Sequence, residues 1–487
     1  MSQEISEVNK TDVLEGFEII IGLEVHCELL TKTKLFCACK NQFGDEPNTN
    51  ICPVCLGLPG SLPVINKRAV ELAMRIGKAL NCEVLPSTFH RKNYFYPDMP
   101  KDFQISQYDM PINANGYLEL PDRSRVGITR AHIEEDTGKS MHLGGSGRIA
   151  EASNSLVDYN RAGVPLVEIV SEPEIYSSQQ AKDYVQELRQ ILVAIGASDG
   201  RMEEGSLRVD ANVSIKPKGS EVFGTRCEIK NLNSLRSLGL AIEYEARRQA
   251  ELIKEGKSVS QETRHFDENS GRTSSMRSKE EANDYRYFPE PDLVPLDPDT
   301  AWIEASTADV VALLPITKRK NLEALLGEEY SSQAALLVGI GLDEFAYKSI
   351  EAGADSRLVV NRVINELARD IEQAKQISIE GFVELISLEA TNKLSATQSK
   401  AVLQEMLSSG GKPVEIAKRL GYEQIDANEI YKVIDEVIAN NPAEWERYLA
   451  GDDKVVQFLL GQVMRSTKGR ANGKEVMQIF AGKQLSN

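Results

Sequence analysis

No stretch of this 487-residue chain is apolar for the length that a membrane span needs, so we expect no membrane segment. Residues 1–16, MSQEISEVNKTDVLEG, are polar and acidic, which is typical of neither a secretory signal peptide nor an Arg-rich transit sequence. We therefore expect a cytoplasmic protein.

Cysteine is too scarce for a disulfide framework, since the chain has 7 and an odd number cannot pair fully. Four of them are spaced C-x-C-x12-C-x2-C, at Cys37, Cys39, Cys52 and Cys55. This spacing predicts a tetrahedral zinc site that pins a loop and leaves no ligand position open for a substrate, so the zinc would be structural. The alternative is four unrelated buried or free thiols.

Positive charge is in deficit, with 56 Lys and Arg against 73 Asp and Glu and a net charge of -17. Taken alone, this balance argues against a polyanionic partner such as nucleic acid, unless a basic patch exists locally. The C-terminal segment is such a patch, because it sets several cations against one acid, Glu475; the alternative is an ordinary solvated surface. Its basic residues are Arg465, Lys468, Arg470, Lys474 and Lys483.

The length predicts several domains, and we expect three. Residues 1–300 alternate strand-like and helical patterns without regular crossover helices, which predicts an α+β domain with a mostly antiparallel sheet flanked by helices. The proline-rich string DYRYFPEPDLVPLDPDT ends this domain. Two all-α domains are expected to follow, over 301–410 and 411–487, divided at Gly410 and Gly411.

Several predicted strands carry ionisable side chains on one face and apolar side chains on the other, because successive residues point to opposite sides. A solvated face of an antiparallel sheet would alternate in the same way, but these faces are rich in Glu, Asp and His. The polar sets are Glu24, His26 and Glu28; Glu168 and Glu172; Arg208 and Asp210; and Arg226, Glu228 and Lys230.

Clustered carboxylates are either protonated or bridged by a cation, and Mg²⁺ with nucleotide phosphates is the simplest occupant. The string TRAHIEEDTGK adds Glu134 and Glu135, which strand parity places on opposite sides. We therefore expect the strand to bulge or end there so that both converge. His26 is less typical of magnesium and either binds a second ion or orients a carboxylate. Arg208 and Lys230 would contact phosphates or a substrate carboxylate, or else pair with neighbouring acids.

The chain resembles, nearly end to end, the B-subunit family of the bacterial aspartyl/glutamyl-tRNA amidotransferase. The strings that carry the resemblance are IGLEVHCEL, RKNYFYPDMPKDFQISQ, GITRAHIEEDTGK, LVDYNRAGVPLVEIVSEPE, MEEGSLRVDANVSI, DYRYFPEPDLVPL and, in the tail, GQVMRSTKGRANGKEV. The resemblance implies a catalytic cradle domain, a helical linker domain and a tail domain, matching 1–300, 301–410 and 411–487.

The resemblance also implies a reaction in which ATP phosphorylates the side-chain carboxylate of Glu or Asp esterified to tRNA, and ammonia then displaces the phosphate. Magnesium would sit on the residues that match the family's ligands, namely Glu24, His26, Glu134, Glu135 and Glu168. Catalytic roles are expected for Glu135, Glu168, Arg208 and Lys230, the last two as ATP contacts. Only part of the family shares the cysteine cluster, so the zinc prediction rests on spacing.

The ammonia must come from a partner, since no cysteine has a nucleophile's context and GGSGR is too short for an amidase signature. The resemblance implies a glutaminase, the A subunit of the enzyme, and a small C subunit that clamps the two. It also implies misacylated tRNA bound by Arg465, Lys468, Arg470 and Lys474. The aromatic residues of RKNYFYPD could stack on the acceptor end or pack in the core.

Two other hypotheses about the function are compatible with the sequence. One is a stand-alone ATP-dependent ligase that amidates a small carboxylic acid, which would need no basic tail. The other is a non-catalytic tRNA-binding module. The sequence leaves open whether Glu-tRNA(Gln), Asp-tRNA(Asn) or both are substrates.

Overall fold

In the computed structural model, the described residues are 13–144, 152–278, 285–422, 427–452, 454–467, 471 and 473–485. The chain divides into two compact units after Thr317. Each unit is described by itself.

The first unit contains fourteen described strands and five helices. The strands are β1 Phe17–Glu28, β2 Glu83–Val84, β3 His90–Asn93, β4 Phe103–Ser106, β5 Asn113–Glu119, β6 Arg125–Glu135, β7 Lys139–Leu143, β8 Asn154–Asp158, β9 Pro165–Ser171, β10 Leu207–Pro217, β11 Cys227–Leu232, β12 Glu262–Asp267, β13 Arg272–Ser278 and β14 Phe288–Pro289. The helices are α1 Lys67–Ala79, α2 Ser178–Ala194, α3 Leu235–Lys254, α4 Thr300–Thr307 and α5 Val310–Leu313.

Twelve of these strands form one sheet in the order β13-β12-β11-β10-β1-β9-β6-β4-β3-β14, with β5 beside β6 and β2 beside β5. Among the described strands of this sheet, only β11 and β12 pair in parallel. The hairpin β7-β8 stands apart. The predicted α+β class with a mostly antiparallel sheet is confirmed.

The sheet has one apolar face because β1 alternates strictly. Ile21, Leu23, Val25 and Cys27 are buried with α1, α2 and α3 in a continuous core. Full burial of such a side chain contributes about 1.5–3 kcal/mol. Side-chain caps start the three helices: Asn66, Ser177 and Ser234 accept hydrogen bonds from the first-turn N–H groups. The opposite face of the central strands is thereby left to the polar residues.

The second unit is helical, with α6 Pro315–Leu326 running across the division between the units. Its other helices are α7 Ser331–Gly339, α8 Asp343–Glu351, α9 Ser356–Asn365, α10 Ile371–Ala374, α11 Ile379–Ala390, α12 Ala396–Ser409, α13 Pro413–Arg419, α14 Ala427–Asn440, α15 Pro442–Leu449, α16 Val455–Ser466 and α17 Gly473–Leu485, besides two short 3-10 helices.

Two separate apolar cores lie in these helices. One collects buried residues from Leu322 to Ala417, and the other from Ile430 to Phe480. The predicted domain boundaries after residues 300 and 410 stay predictions. Across the described part of the chain, no helix combines the length and apolar character needed to cross a membrane.

Candidate active site

Four neighbouring strands, β10, β1, β9 and β6, place ionisable side chains directly opposite one another. His26 on β1 pairs with Glu168 on β9, which in turn pairs with His132 on β6. On the other side of β1, Glu24 pairs with Asp210 of β10. Directly opposite residues share a face, so antiparallel register alone gathers these groups into a row across the sheet.

The first cluster on this face joins His26, Glu134 and Glu168, whose ligand atoms lie within 4.8 Å of one another. Nδ1 of His26 is 3.1 Å from Oε1 of Glu134. His132 adjoins both acids, with Nε2 at 3.7 Å from Glu168 Oε2 and 3.9 Å from Glu134 Oε2. Both carboxylates are buried, so they lie where water screens them little.

A second cluster joins Glu24, Asp210 and Glu228, again with ligand atoms within 4.8 Å. Nε2 of His26 lies 4.0 Å from Asp210 Oδ2 and links the two clusters. Lys230 neutralises part of the charge, with Nζ at 3.4 Å from Glu228 and 3.6 Å from Asp210.

Most of these groups line one pocket of about 180 Å³. Acids, cations and aromatic rings meet in it, which suits a ligand that carries both phosphate and carboxylate charge. Its charged residues and histidine are Glu24, Lys92, Arg130, His132, Glu134, Glu168, Glu228 and Lys230, and its other residues are Ser106, Gln107, Tyr108, Thr263, Tyr285 and Tyr287.

Charge is balanced unevenly across the pocket. Burial lowers the pKa of His26, but the hydrogen bond with Glu134 and the charge of Glu168 outweigh it and raise that pKa to about 9. Burial alone raises the pKa of Glu168, yet the adjacent histidines and Lys92 hold it at about 2. Burial lowers the pKa of His132. Arg130, whose guanidinium lies 3.7 Å from Glu168, joins His26 and Lys92 as a cation that keeps Glu168 ionised.

Glu24 is less well compensated than Glu168. Its burial and the charges of Glu168 and Glu228 raise its pKa. A divalent cation at this cluster would favour the ionised form of Glu24 and relieve its repulsion from the neighbouring acids. Carboxylate oxygens are the ligands that Mg²⁺ prefers, so the residues fit that ion.

The expected convergence of Glu134 and Glu135 is wrong. Strand β6 stays regularly paired through both residues, which face Leu166 and Pro165 of β9, and its register shift lies earlier, between Ile128 and Arg130. Alternation therefore sends Glu135 to the opposite face of the sheet. There its carboxylate pairs with Lys101 and accepts a 2.8 Å hydrogen bond from the N–H of Ile105.

Arg208 lies opposite His26 on the polar face, but it is not among the residues that line the pocket. Its Nη2 donates a 2.8 Å hydrogen bond to Asp136, and Arg161 approaches the same carboxylate at 3.4 Å. Of the two expected phosphate contacts, only Lys230 lines the pocket. Two acids of the polar sets lie outside the pocket. Burial and the charge of Asp136 raise the pKa of Glu28. The carboxylate of Glu172 accepts a hydrogen bond from the Thr129 hydroxyl.

Among the charged residues and histidine of the pocket, the sequence analysis does not identify three: Lys92, Arg130 and His132. Two had a signal, because Arg130 and His132 share strand parity with Glu134 in TRAHIEED. Lys92 had none, since it comes from the short strand β3 and reaches the pocket only through the sheet order β6-β4-β3.

The four cysteines of the predicted zinc site come together. The Sγ atoms of Cys37, Cys39, Cys52 and Cys55 lie within 4.8 Å of one another, with 3.9 Å between those of Cys52 and Cys55. A hydrogen bond from Cys37 holds the pKa of Cys55 at about 5. Four soft thiol donors closed around one point are the set that a structural zinc requires.

The predicted tRNA-binding residues lie partly in the described chain. Arg465 is in the last turn of α16, and Lys474 is in the first turn of α17; both side chains are at least partly exposed. Lys468 and Arg470 lie outside the described residues. Lys483 pairs with Asp435 at 2.6 Å.

Comparisons with known proteins show the family. Residues 19–304 match the family model described as the GatB/GatE catalytic domain, and residues 344–483 match the GatB domain. The chain belongs to the amidotransferase B-subunit family. It is 47% identical over 481 residues to the B subunit of the aspartyl/glutamyl-tRNA(Asn/Gln) amidotransferase of Carboxydothermus hydrogenoformans, covering 96% of this chain and 99% of that protein.

Two further relatives with the same name are similarly close. The chain is 46% identical over 476 residues to the protein of Persephonella marina, with 95% and 98% of the two chains covered. It is 45% identical over 484 residues to that of Trichodesmium erythraeum, with 96% and 97% covered. The likeness therefore extends over both units.

Proposed function

We propose that this chain is the kinase, transamidase and tRNA-binding subunit of a tRNA-dependent amidotransferase that acts on Glu-tRNA(Gln), Asp-tRNA(Asn) or both. The observation that supports this most is the pocket on the polar face, where buried carboxylates stand beside Lys92, Arg130 and Lys230. The family's name supports the substrate class.

The chemistry has two steps. A carboxylate is a poor acyl electrophile, so one of its oxygens first attacks the γ-phosphorus of ATP and ADP leaves. Ammonia then attacks the acyl carbon, loses a proton, and inorganic phosphate departs with the former carboxylate oxygen. The first step brings two anions together, and in the second negative charge develops on the acyl oxygen and the departing phosphate. Both steps call for positioning and charge neutralisation rather than a covalent protein nucleophile.

The pocket divides these tasks among its residues. Glu24, His26, Glu134 and Glu168 would hold magnesium, which supplies charge neutralisation to the phosphates when bound. Lys92, Arg130 and Lys230 would contact the phosphates and the substrate carboxylate. We assign Arg208 the role of positioning Asp136, and Glu135 that of anchoring Lys101.

The remaining roles follow the family. A glutaminase, the A subunit, would supply ammonia by hydrolysing glutamine, and a small C subunit would clamp it to this chain. Zinc on the four cysteines would pin the loop between Cys37 and Cys55. The tRNA phosphates would be contacted by Arg465, Lys468, Arg470 and Lys474. The protein would act in the cytoplasm. The chain would then comprise cradle, linker and tail domains at 1–300, 301–410 and 411–487.

The test is reconstitution. The purified chain, both partner subunits, ATP and glutamine are mixed with each misacylated tRNA, and the aminoacyl product is identified. Conversion of Glu-tRNA(Gln) or Asp-tRNA(Asn) to the amide, coupled to ATP hydrolysis, is expected. Absence of tRNA-dependent ATP hydrolysis with both tRNAs would overturn the proposal.

A further inference from the structure

Three tyrosines from two distant segments line the acidic pocket. Tyr108 follows β4, whereas Tyr285 and Tyr287 precede β14. The rings of Tyr108 and Tyr287 are stacked, with centroids 4.1 Å apart and planes 13° apart. Tyr285 meets Tyr287 edge-on at 6.1 Å. These rings form a continuous aromatic surface beside the charged groups.

The surface is not part of the apolar core. The core of the first unit includes none of the three tyrosines, and Tyr108 is 47% exposed. A stacked ring pair at a charged pocket, of which Tyr108 is exposed, has the character of a platform for another flat ring.

Lys92 connects this surface to the acids. Its Nζ lies 4.8 Å from the Tyr285 ring centroid, and the same lysine lines the pocket with Glu134 and Glu168. Lys92 therefore spans the distance between the aromatic surface and the position where the carboxylate would be phosphorylated.

We propose that Tyr108, Tyr285 and Tyr287 bind the adenine of the terminal adenosine of the aminoacyl-tRNA. This inference rests on the proposed function. The ester places the amino acid on the ribose of that adenosine, so only one sugar and one short side chain separate its adenine from the reacting carboxylate. In ATP, a ribose and the whole triphosphate separate adenine from the reacting phosphorus. The tyrosines line the reaction pocket itself, which suits the shorter ligand.

The first experiment changes the ligand and leaves the protein intact. Glutamate is joined by a stable amide to 3'-amino-3'-deoxyadenosine and, in a matched compound, to the same sugar without the base. Each compound is tested as a competitor of Glu-tRNA(Gln) in the complete enzyme. We expect the adenine compound to bind at least about 10-fold more tightly, the effect of one stacked base. Equal binding would overturn the inference.

The second experiment changes the rings. In Tyr108→Leu and Tyr287→Leu enzymes, KM for aminoacyl-tRNA should rise about 10-fold while KM for ATP is unchanged. The variants Tyr108→Phe and Tyr287→Phe, which keep the ring, should stay near wild type. Tyr176→Leu, at an exposed tyrosine outside the pocket, is the surface control.

The outcomes separate this inference from the proposed function. A rise in KM for ATP alone would assign the tyrosines to the adenine of ATP and overturn the inference while the proposed function stands. Unchanged KM values for both substrates in the leucine variants would also overturn the inference and leave the proposed function standing. A wild-type enzyme without tRNA-dependent ATP hydrolysis would remove the proposed function and the inference together.

Discussion

Replacing Glu168 by glutamine removes one charge from the centre of the pocket and almost no volume. Nearby cations hold the pKa of Glu168 at about 2, against an ordinary value of 4.5. At 1.36 kcal/mol for each pKa unit, the folded metal-free protein favours the ionised carboxylate by on the order of 3 kcal/mol. A neutral amide cannot receive this stabilisation, and His26 and Lys92 lose their counter-charge.

When EDTA keeps both proteins metal-free, the free energy of unfolding of Glu168→Gln should therefore be lower than that of the wild type. The difference should depend on pH. Because the folded pKa is depressed, the stabilisation is fully present above about pH 4.5 and disappears as pH falls through 2. Urea unfolding should show a deficit of on the order of 3 kcal/mol at pH 7 and about half of that at pH 3.

Turnover should also fall in Glu168→Gln. We expect kcat for amide formation to drop at least about 100-fold, the cost of losing one charge-stabilising group in a transition state, while tRNA binding is unchanged. Glu172→Gln is the matched control, because Glu172 lies just past β9 and outside the pocket. Wild-type turnover in Glu168→Gln, or an equal loss in Glu172→Gln, would refute the reasoning.

Three further predictions concern other parts of the chain. Glu135→Gln should lower the free energy of unfolding by about 3–5 kcal/mol, measured by urea titration, because Lys101 is left buried without its partner; a change below about 1 kcal/mol would contradict the assignment. Cys37→Ser should reduce bound zinc, measured by metal analysis, and lower Tm, whereas Cys82→Ser should retain the zinc; equal zinc content in both variants would exclude the cluster. Deleting residues 413–487 should abolish tRNA binding in a filter assay while ATP still protects the first unit from heat; retained tRNA binding would exclude the basic tail.

The sequence alone predicts those site residues whose position on the polar face follows from strand parity. Glu24 and His26 alternate with buried apolar residues on β1, and Lys230 does so on β11, so the polar face could be read from each strand alone. Antiparallel register then placed His26 opposite Glu168, which no local pattern specifies. The pairing of strands distant in sequence is a property of the sheet order.

Glu135 follows strand parity and not the expected bulge. Parity alone predicts that Glu135 and Glu134 lie on opposite faces of the sheet, and a bulge would have been needed to bring them together. The structure keeps parity because a partner for Glu135 exists on the other face, Lys101, from a segment 34 residues earlier. That partner carries no sequence signal, as is also true of Lys92 and of the tyrosines at the pocket. Long-range side-chain pairing is thus the part that the sequence left open.

The central claim is that the carboxylate oxygen of the tRNA-bound amino acid attacks the γ-phosphorus of ATP in this pocket. The most direct measurement uses Glu-tRNA(Gln) whose side-chain carboxylate carries a heavy oxygen isotope, with the complete enzyme, ATP and glutamine. The account predicts that one labelled oxygen per amide formed appears in inorganic phosphate. Amide formation with no label in the phosphate would contradict it.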